Sequence, residues 1–194
     1  MKILAATNNA HKLEELKTIL GPQGIEVISA KEAGGVPEVV EDKDTFEGNA
    51  VKKALETAKA KDMVVFSDDS GLCVDALDGR PGVYSARYAG ENATNMDRMN
   101  KLLGELEGEE NRKAKFVCVI ALASPDGLIG TATGECCGSI GLSPSGDQGF
   151  GYDPLFIPDG YSETFAELGE DVKNSMSHRG NALEKALKAG YFKF

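Results

Sequence analysis

Apolar residues along the chain alternate between short continuous runs and helically spaced stripes. A run over residues 2–7 reads as a strand, and Leu13, Leu16, Ile19 and Leu20 follow at helical spacing. Gly21-Pro22-Gln23-Gly24 ends that helix, and Ile25–Ile28 reads as a second strand. A helix is expected from about Thr45 to Lys61, with Phe46, Ala50, Leu55 and Ala58 inward and Asp44 and Glu47 as a capping box. Met63-Val64-Val65-Phe66 reads as a buried strand and Leu72–Leu77 as another, with a polar turn between them. A helical turn over 83–88 precedes a helix over 94–106, striped by Met96, Met99, Leu102, Leu103 and Leu106. Phe116–Ala123 and Leu128–Cys137 pair across Ser124-Pro125-Asp126-Gly127, a turn of hairpin type. Glycine and serine fill 138–149, a short helix lies near 164–168, and a last helix capped by Ser177 runs to about Lys188. Early alternation of strands and helices, then a hairpin, predicts an α/β fold with a mixed sheet.

Composition narrows the class. The 194 residues suit one domain, 1–194, with a sizeable core, or two lobes sharing one sheet. No apolar run approaches the ~20 residues of a membrane span. The N-terminal run is too short for a signal peptide, so a cytoplasmic chain with no membrane partner is expected. A net charge of -10 argues against nucleic acid, which needs a basic face. It leaves room for a small anion met by a few gathered cations. Four cysteines without a C-x-x-C pair, and only two histidines, argue against zinc.

Several polar stretches are candidates for chemistry. Ser67-Asp68-Asp69-Ser70-Gly71 follows an apolar strand; adjacent carboxylates there suit a hard cation such as Mg²⁺, or an ordinary turn. Thr7-Asn8-Asn9-Ala10-His11-Lys12 joins a strand to a helix N-terminus, a natural anion site. Lys12 in that first turn opposes the helix dipole and so calls for another partner. Asn49 and Lys53 share a helix face, downstream of an acidic loop holding Glu38, Glu41, Asp42 and Asp44. Gly149-Phe150-Gly151-Tyr152-Asp153-Pro154 is either a plain turn or a stacking platform beside a carboxylate. His178 and Arg179 again place cations in a helix first turn, where an anion or a base carbonyl would balance them.

Taken together, TNNAHK at 7–12, FEGNAVKKA at 46–54, SDDSGLCVDALDGRPGVYSARYAG at 67–90, GFGYDP at 149–154 and SHRG at 177–180 resemble the inosine triphosphate pyrophosphatases, or non-standard purine NTP pyrophosphatases. The resemblance spans nearly the whole chain. It implies an elongated mixed β-sheet flanked by helices, two lobes around a central cleft, and a homodimer. It implies Mg²⁺-dependent hydrolysis of a purine nucleoside triphosphate (ITP, dITP or XTP) to the monophosphate and pyrophosphate. Carried over by motif, Thr7, Asn8, Asn9 and Lys12 would cradle the triphosphate, and Lys53 would approach its phosphates. Glu41, Asp69 and Asp68 would hold metal. Asp69 would also accept the proton, and Ser70 would contact substrate. Phe150, Gly151, Tyr152, Asp153, Lys173, His178 and Arg179 would hold the base and its neighbourhood, with Arg179 facing C6. The alternatives are a pyrophosphatase for other modified nucleotides, such as modified pyrimidines, and a nucleotide-binding module that hydrolyses nothing.

Overall fold

A computed structural model describes residues 2–193. Six strands form one mixed sheet: β1 (Lys2–Ala5), β2 (Glu26–Ile28), β3 (Val65–Val74), β4 (Lys113–Ser124), β5 (Gly127–Ile140) and β6 (Phe156–Pro158), in the order β2-β1-β3-β4-β5-β6. β1 runs parallel to β2 and β3, and β5 runs antiparallel to β6. The helices are α1 (Ala10–Leu20), α2 (Phe46–Lys61), α3 (Asn95–Glu105), α4 (Phe165–Leu168), α5 (Glu170–Met176) and α6 (His178–Lys188). The expected mixed sheet with flanking helices is borne out.

The chain divides into two compact units. Unit 1 takes in the described residues up to Asp69, Cys118–Gly134, and those from Arg179 onward; unit 2 takes in Ser70–Val117 and Glu135–His178.

In unit 1 the period-two alternation of the strands sorts apolar side chains into two layers. Ile3, Ala5, Phe66, Cys118, Ile120 and Leu122 pack with Leu16 and Leu20 of α1 and Ala182, Leu183 and Ala186 of α6. Leu4, Val65, Val119, Ala121 and Ala123 pack on the other side with Ala50, Ala54 and Ala58 of α2. Three alanines at intervals of four give α2 a flat seam that can lie close to the sheet. Ser67 Oγ donates to the Ala50 carbonyl, pinning β3 to that helix.

Unit 2 has a single apolar layer that includes Leu72, Val74, Leu102, Leu106, Phe116, Tyr152, Phe156 and Phe165. Phe116 and Phe156 rings lie 4.6 Å apart, and His178 stacks on Phe116 at 4.9 Å.

Two local expectations are corrected. The polar stretch 67–71 is not a turn between two strands; β3 runs unbroken through it to Val74, and residues 75–77 form a 3-10 turn. Thr45, not Asp44, caps α2, by accepting from Gly48 N–H. The shorter threonine side chain sits one residue nearer the helix and reaches the N3 amide. Residues 170–176, to which the sequence pattern assigns no element, form α5, which begins behind Gly169 with Glu170 and Asp171 in its first turn, where the dipole favours acids.

Candidate active site

Adjacent residues of a strand point to opposite faces, and β3 uses this to separate its two aspartates. Asp68 shares the parity of Phe66 and meets α1 and α6. Asp69 shares the parity of Val65 and Ser67 and meets α2.

Asp68 is 1% exposed and surrounded by cations. Lys12 Nζ lies 2.9 Å from its Oδ2, and Arg179 Nε and Nη2 each donate to the same oxygen at 3.3 Å. Arg179, also 1% exposed, donates through Nη1 to Glu15. The result is a buried set of two acids and two bases. Burial alone would raise the Asp68 pKa, but Lys12, then Arg179 and Lys53, hold it well below the ordinary carboxylate range. Arg179 is pushed up from its ordinary value: burial opposes this, and Glu15 and Asp68 overcome it. Lys12 therefore finds, in Asp68, the partner its place in α1 called for.

Asp69 is in the opposite situation. It is 8% exposed, and Asn49 Nδ2 donates to its Oδ2 at 3.0 Å. Burial raises its pKa, the Asn49 hydrogen bond resists, and the charge of Glu41 raises it further. Glu41 itself pairs with Lys53 at 2.5 Å. Lys53 stays protonated: burial works against its charge, but Asp68 and then Glu41 raise its pKa.

At the α1 N-terminus, Asn9 caps the helix by accepting from His11 N–H at 3.0 Å and Lys12 N–H at 3.3 Å. Thr7 Oγ1 accepts from Asn9 N–H. Asn8 and Asn9 are exposed. The turn is thus a capped helix start with amides converging on oxygen atoms, the geometry an incoming phosphate would reuse.

Unit 2 carries a second constellation. Asp153 Oδ2 accepts from Phe150 N–H at 2.8 Å and from Lys173 Nζ at 2.7 Å, with Asp153 and Lys173 both buried. Lys173 Nζ also lies 4.6 Å from the Phe150 ring centroid, a cation–π contact. Gly149 makes this turn possible. Its φ is +75°, and a Cβ there would stand 2.3 Å from Asp153 Oδ2. Tyr152 is 4% exposed and its hydroxyl donates to the Ser85 carbonyl, so its side chain supports the turn from within the core. Gly151 and Ser70 are half-buried and His178 is buried against Phe116.

The candidates therefore gather in two groups. Unit 1 brings Thr7 to Lys12, Glu41, Lys53, Asp68, Asp69 and Arg179 together; unit 2 brings Phe150, Asp153 and Lys173 together. Arg179 is directed at the carboxylates Asp68 and Glu15 in unit 1. Glu15 and Asn49 went unassigned in the sequence reading. Glu15 sits beside Glu14 in a helix with no cue that only one of them turns inward, whereas Asn49 had a usable signal, its shared face with Lys53.

The residues fit a hard divalent cation. Among the described residues no three acidic, histidine or cysteine side chains cluster as a self-sufficient metal cage. Mg²⁺ does not need one, since one or two carboxylates and substrate phosphates commonly suffice. The charge of Glu41 adds to the cost of ionising Asp69, which a cation would relieve, whereas Asp68 is already neutralised by its cations.

This fold is an α/β mixed sheet whose first unit gathers buried and half-buried lysine, arginine and carboxylate side chains. The Ham1 family model matches residues 3–189, and the chain belongs to the Ham1 family. It is 52% identical to a dITP/XTP pyrophosphatase of Desulforamulus reducens, over 97% of this chain and 94% of the other. Its fold matches a solved HAM1 protein of Coxiella burnetii with a TM-score of 0.89, at 40% identity over 97% of this chain and 98% of that one. The Staphylococcus aureus Ham1 structure matches with a TM-score of 0.86, at 40% identity over 98% and 99% of the two chains.

Proposed function

We propose that this protein hydrolyses non-canonical purine nucleoside triphosphates (ITP, dITP and XTP) to the monophosphate and pyrophosphate, with Mg²⁺. The separation of the two aspartates carries the reading. One is neutralised by Lys12 and Arg179 and keeps those cations in place; the other keeps a raised pKa and stays available for a proton. The name borne by the Desulforamulus reducens relative supports dITP and XTP among these substrates.

In this reading Asp69 and Glu41 would hold Mg²⁺, which supplies charge neutralisation of the phosphate oxygens when bound. Lys12, Lys53 and the Thr7–Lys12 amides bind the polyphosphate. Asp69 accepts the proton of the attacking water, and burial makes it a better base than an exposed aspartate. Phe150 stacks on the base. Lys173, held beside that ring by Asp153, is a donor suited to the C6 oxo group of hypoxanthine or xanthine. It mismatches the amino donor of adenine, at a cost of about 1–3 kcal/mol for a buried unpaired group. Arg179 acts through Asp68 and Glu15. Ser70, Gly151 and His178 complete the surroundings of the substrate. A homodimer is what the family resemblance implies.

The test is a substrate panel with pyrophosphate as readout. kcat/KM for ITP and XTP should exceed that for ATP by at least about tenfold. Equal rates with ATP would remove the proposed base discrimination. Faster turnover of modified pyrimidine triphosphates would favour the alternative substrate class.

A further inference from the structure

Glu41 lies in a stretch, 35–43, without regular secondary structure, yet it must meet Asp69 of β3 if the two are to share a cation. Side chains of α2 tether this stretch. Lys52 Nζ donates to the Val40 carbonyl at 2.8 Å and pairs with Asp42 Oδ1 at 2.9 Å, and Lys53 pairs with Glu41. The tether nearest Asp69 is Asn49, which is 2% exposed. Its Oδ1 accepts from Lys43 N–H at 2.9 Å, and its Nδ2 donates to Asp69 Oδ2 at 3.0 Å. Neither aspartate nor leucine reproduces this bond set. An ionised aspartate accepts but cannot donate, and leucine does neither.

We infer that Asn49 is a positioning residue: one buried amide fixes both the loop that carries Glu41 and one oxygen of Asp69, so that the two carboxylates act as a single divalent-cation pair. Holding Asp69 Oδ2 fixes the orientation of that carboxylate. Holding the Lys43 amide sets the backbone two residues beyond Glu41. Pre-organising two ligands lowers the ordering cost that metal binding would otherwise bear. The inference rests on the proposed assignment of Glu41 and Asp69 as metal ligands.

Asn49→Leu keeps side-chain volume and removes both hydrogen bonds, and Asn49→Ala guards against a misfit of the leucine. Each is compared with the wild type by hydrogen exchange of the peptide spanning 36–44 and by Mg²⁺ titration of ITP turnover. Both variants should exchange that peptide at least about tenfold faster, since a hydrogen-bonded anchor is lost. Half-saturating Mg²⁺ should rise about tenfold or more, with KM for ITP at saturating Mg²⁺ within about twofold. Unchanged exchange and unchanged metal dependence in a folded variant would overturn the inference. So would a fall in kcat with half-saturating Mg²⁺ unaltered, which would put Asn49 on the chemical step. If both variants fail to fold, the wild type decides. With Mg²⁺ titrated against α,β-methylene-ITP, the 36–44 peptide and the peptide holding Asp69 should gain protection at one common midpoint; separate midpoints overturn the coupling. Absence of ITP turnover in the wild type would count against the proposed function, while the exchange readout would still test the tether.

Discussion

Replacing Asp68 by asparagine should reveal how the buried charge set is held. In the native protein Lys12, Arg179, Asp68 and Glu15 balance, two charges of each sign. The substitution is nearly isosteric and leaves an oxygen that can still accept, but it leaves Lys12 and Arg179 facing Glu15 alone. Removing one member of a buried ion pair costs about 3–5 kcal/mol, and much of that is the unpaired charge left behind. Lys12 retains some access to water, with a side chain 17% exposed, so the lower end applies, about 3 kcal/mol. For a chain of this length 1 kcal/mol moves Tm by about 2–4 °C, so the melting temperature should fall by roughly 6–12 °C. The assay is a circular-dichroism melt of wild type, Asp68→Asn, Lys12→Met and the double variant. Removing Lys12 as well rebalances the set to Arg179 and Glu15, so the double variant should be more stable than the sum of the single losses predicts, by about 1–3 kcal/mol. An Asp68→Asn protein that melts within 2 °C of wild type, or strictly additive losses, would refute the reasoning. Greater stability in the variant would mean that desolvating the four charges outweighs their attraction.

Gly146→Ala should destabilise the protein by more than about 1 kcal/mol, measured by urea denaturation. Its φ is +83°, and a Cβ would stand 2.4 Å from the Ala166 carbonyl carbon; wild-type stability would show that the 143–149 segment is free to move away from α4. A thiol reagent should label the exposed Cys137 first and leave Cys118 and Cys136 unlabelled until denaturation; rapid labelling of all four would contradict their burial. Burial raises those two thiols from an ordinary 9.0 to about 12 and about 11. Above pH 9 the unfolded chain therefore loses these protons while the folded one keeps them. Their stabilisation is complete below pH 9 and is lost as pH rises towards 11–12, so the urea midpoint should drop between pH 8 and pH 10 and be restored towards the pH 8 value in a Cys118→Ala, Cys136→Ala protein.

How much the sequence disclosed depended on how local each cause was. α1 and α3 have apolar stripes and nearby caps, and both were legible, the latter closed by a Thr94–Asp97 box. β3 was not read as one strand because Ser67, Asp68, Asp69, Ser70 and Gly71 have turn composition. It continues because each polar side chain at its centre finds a remote partner: Ala50 for Ser67, Asn49 for Asp69, and for Asp68 both Lys12 and Arg179, the latter 111 residues away. No window of sequence contains those pairings. The same distance hid the division between the two aspartates, although alternation within a strand implies it once the strand is known. Lys12 and Lys53 were legible as basic residues at anion-type positions, and Phe150 with Asp153 as an uncommon turn. Glu15 was not, because its only distinction from Glu14 is an arginine at the far end of the chain. β6 is three residues long and its edge pairing with β5 comes from tertiary placement rather than from a pattern.

The proposed chemistry rests on Asp69 as the proton acceptor in a reaction that releases pyrophosphate. The most direct measurement is the phosphorus product of ITP hydrolysis by the wild type and by Asp69→Asn, with Mg²⁺ saturating and folding verified by circular dichroism. Wild type should yield inosine monophosphate and pyrophosphate in equal amounts, and the variant should be slower by at least about a hundredfold, the scale of a lost general base. Orthophosphate as the first product, or near-normal turnover by Asp69→Asn, would contradict it.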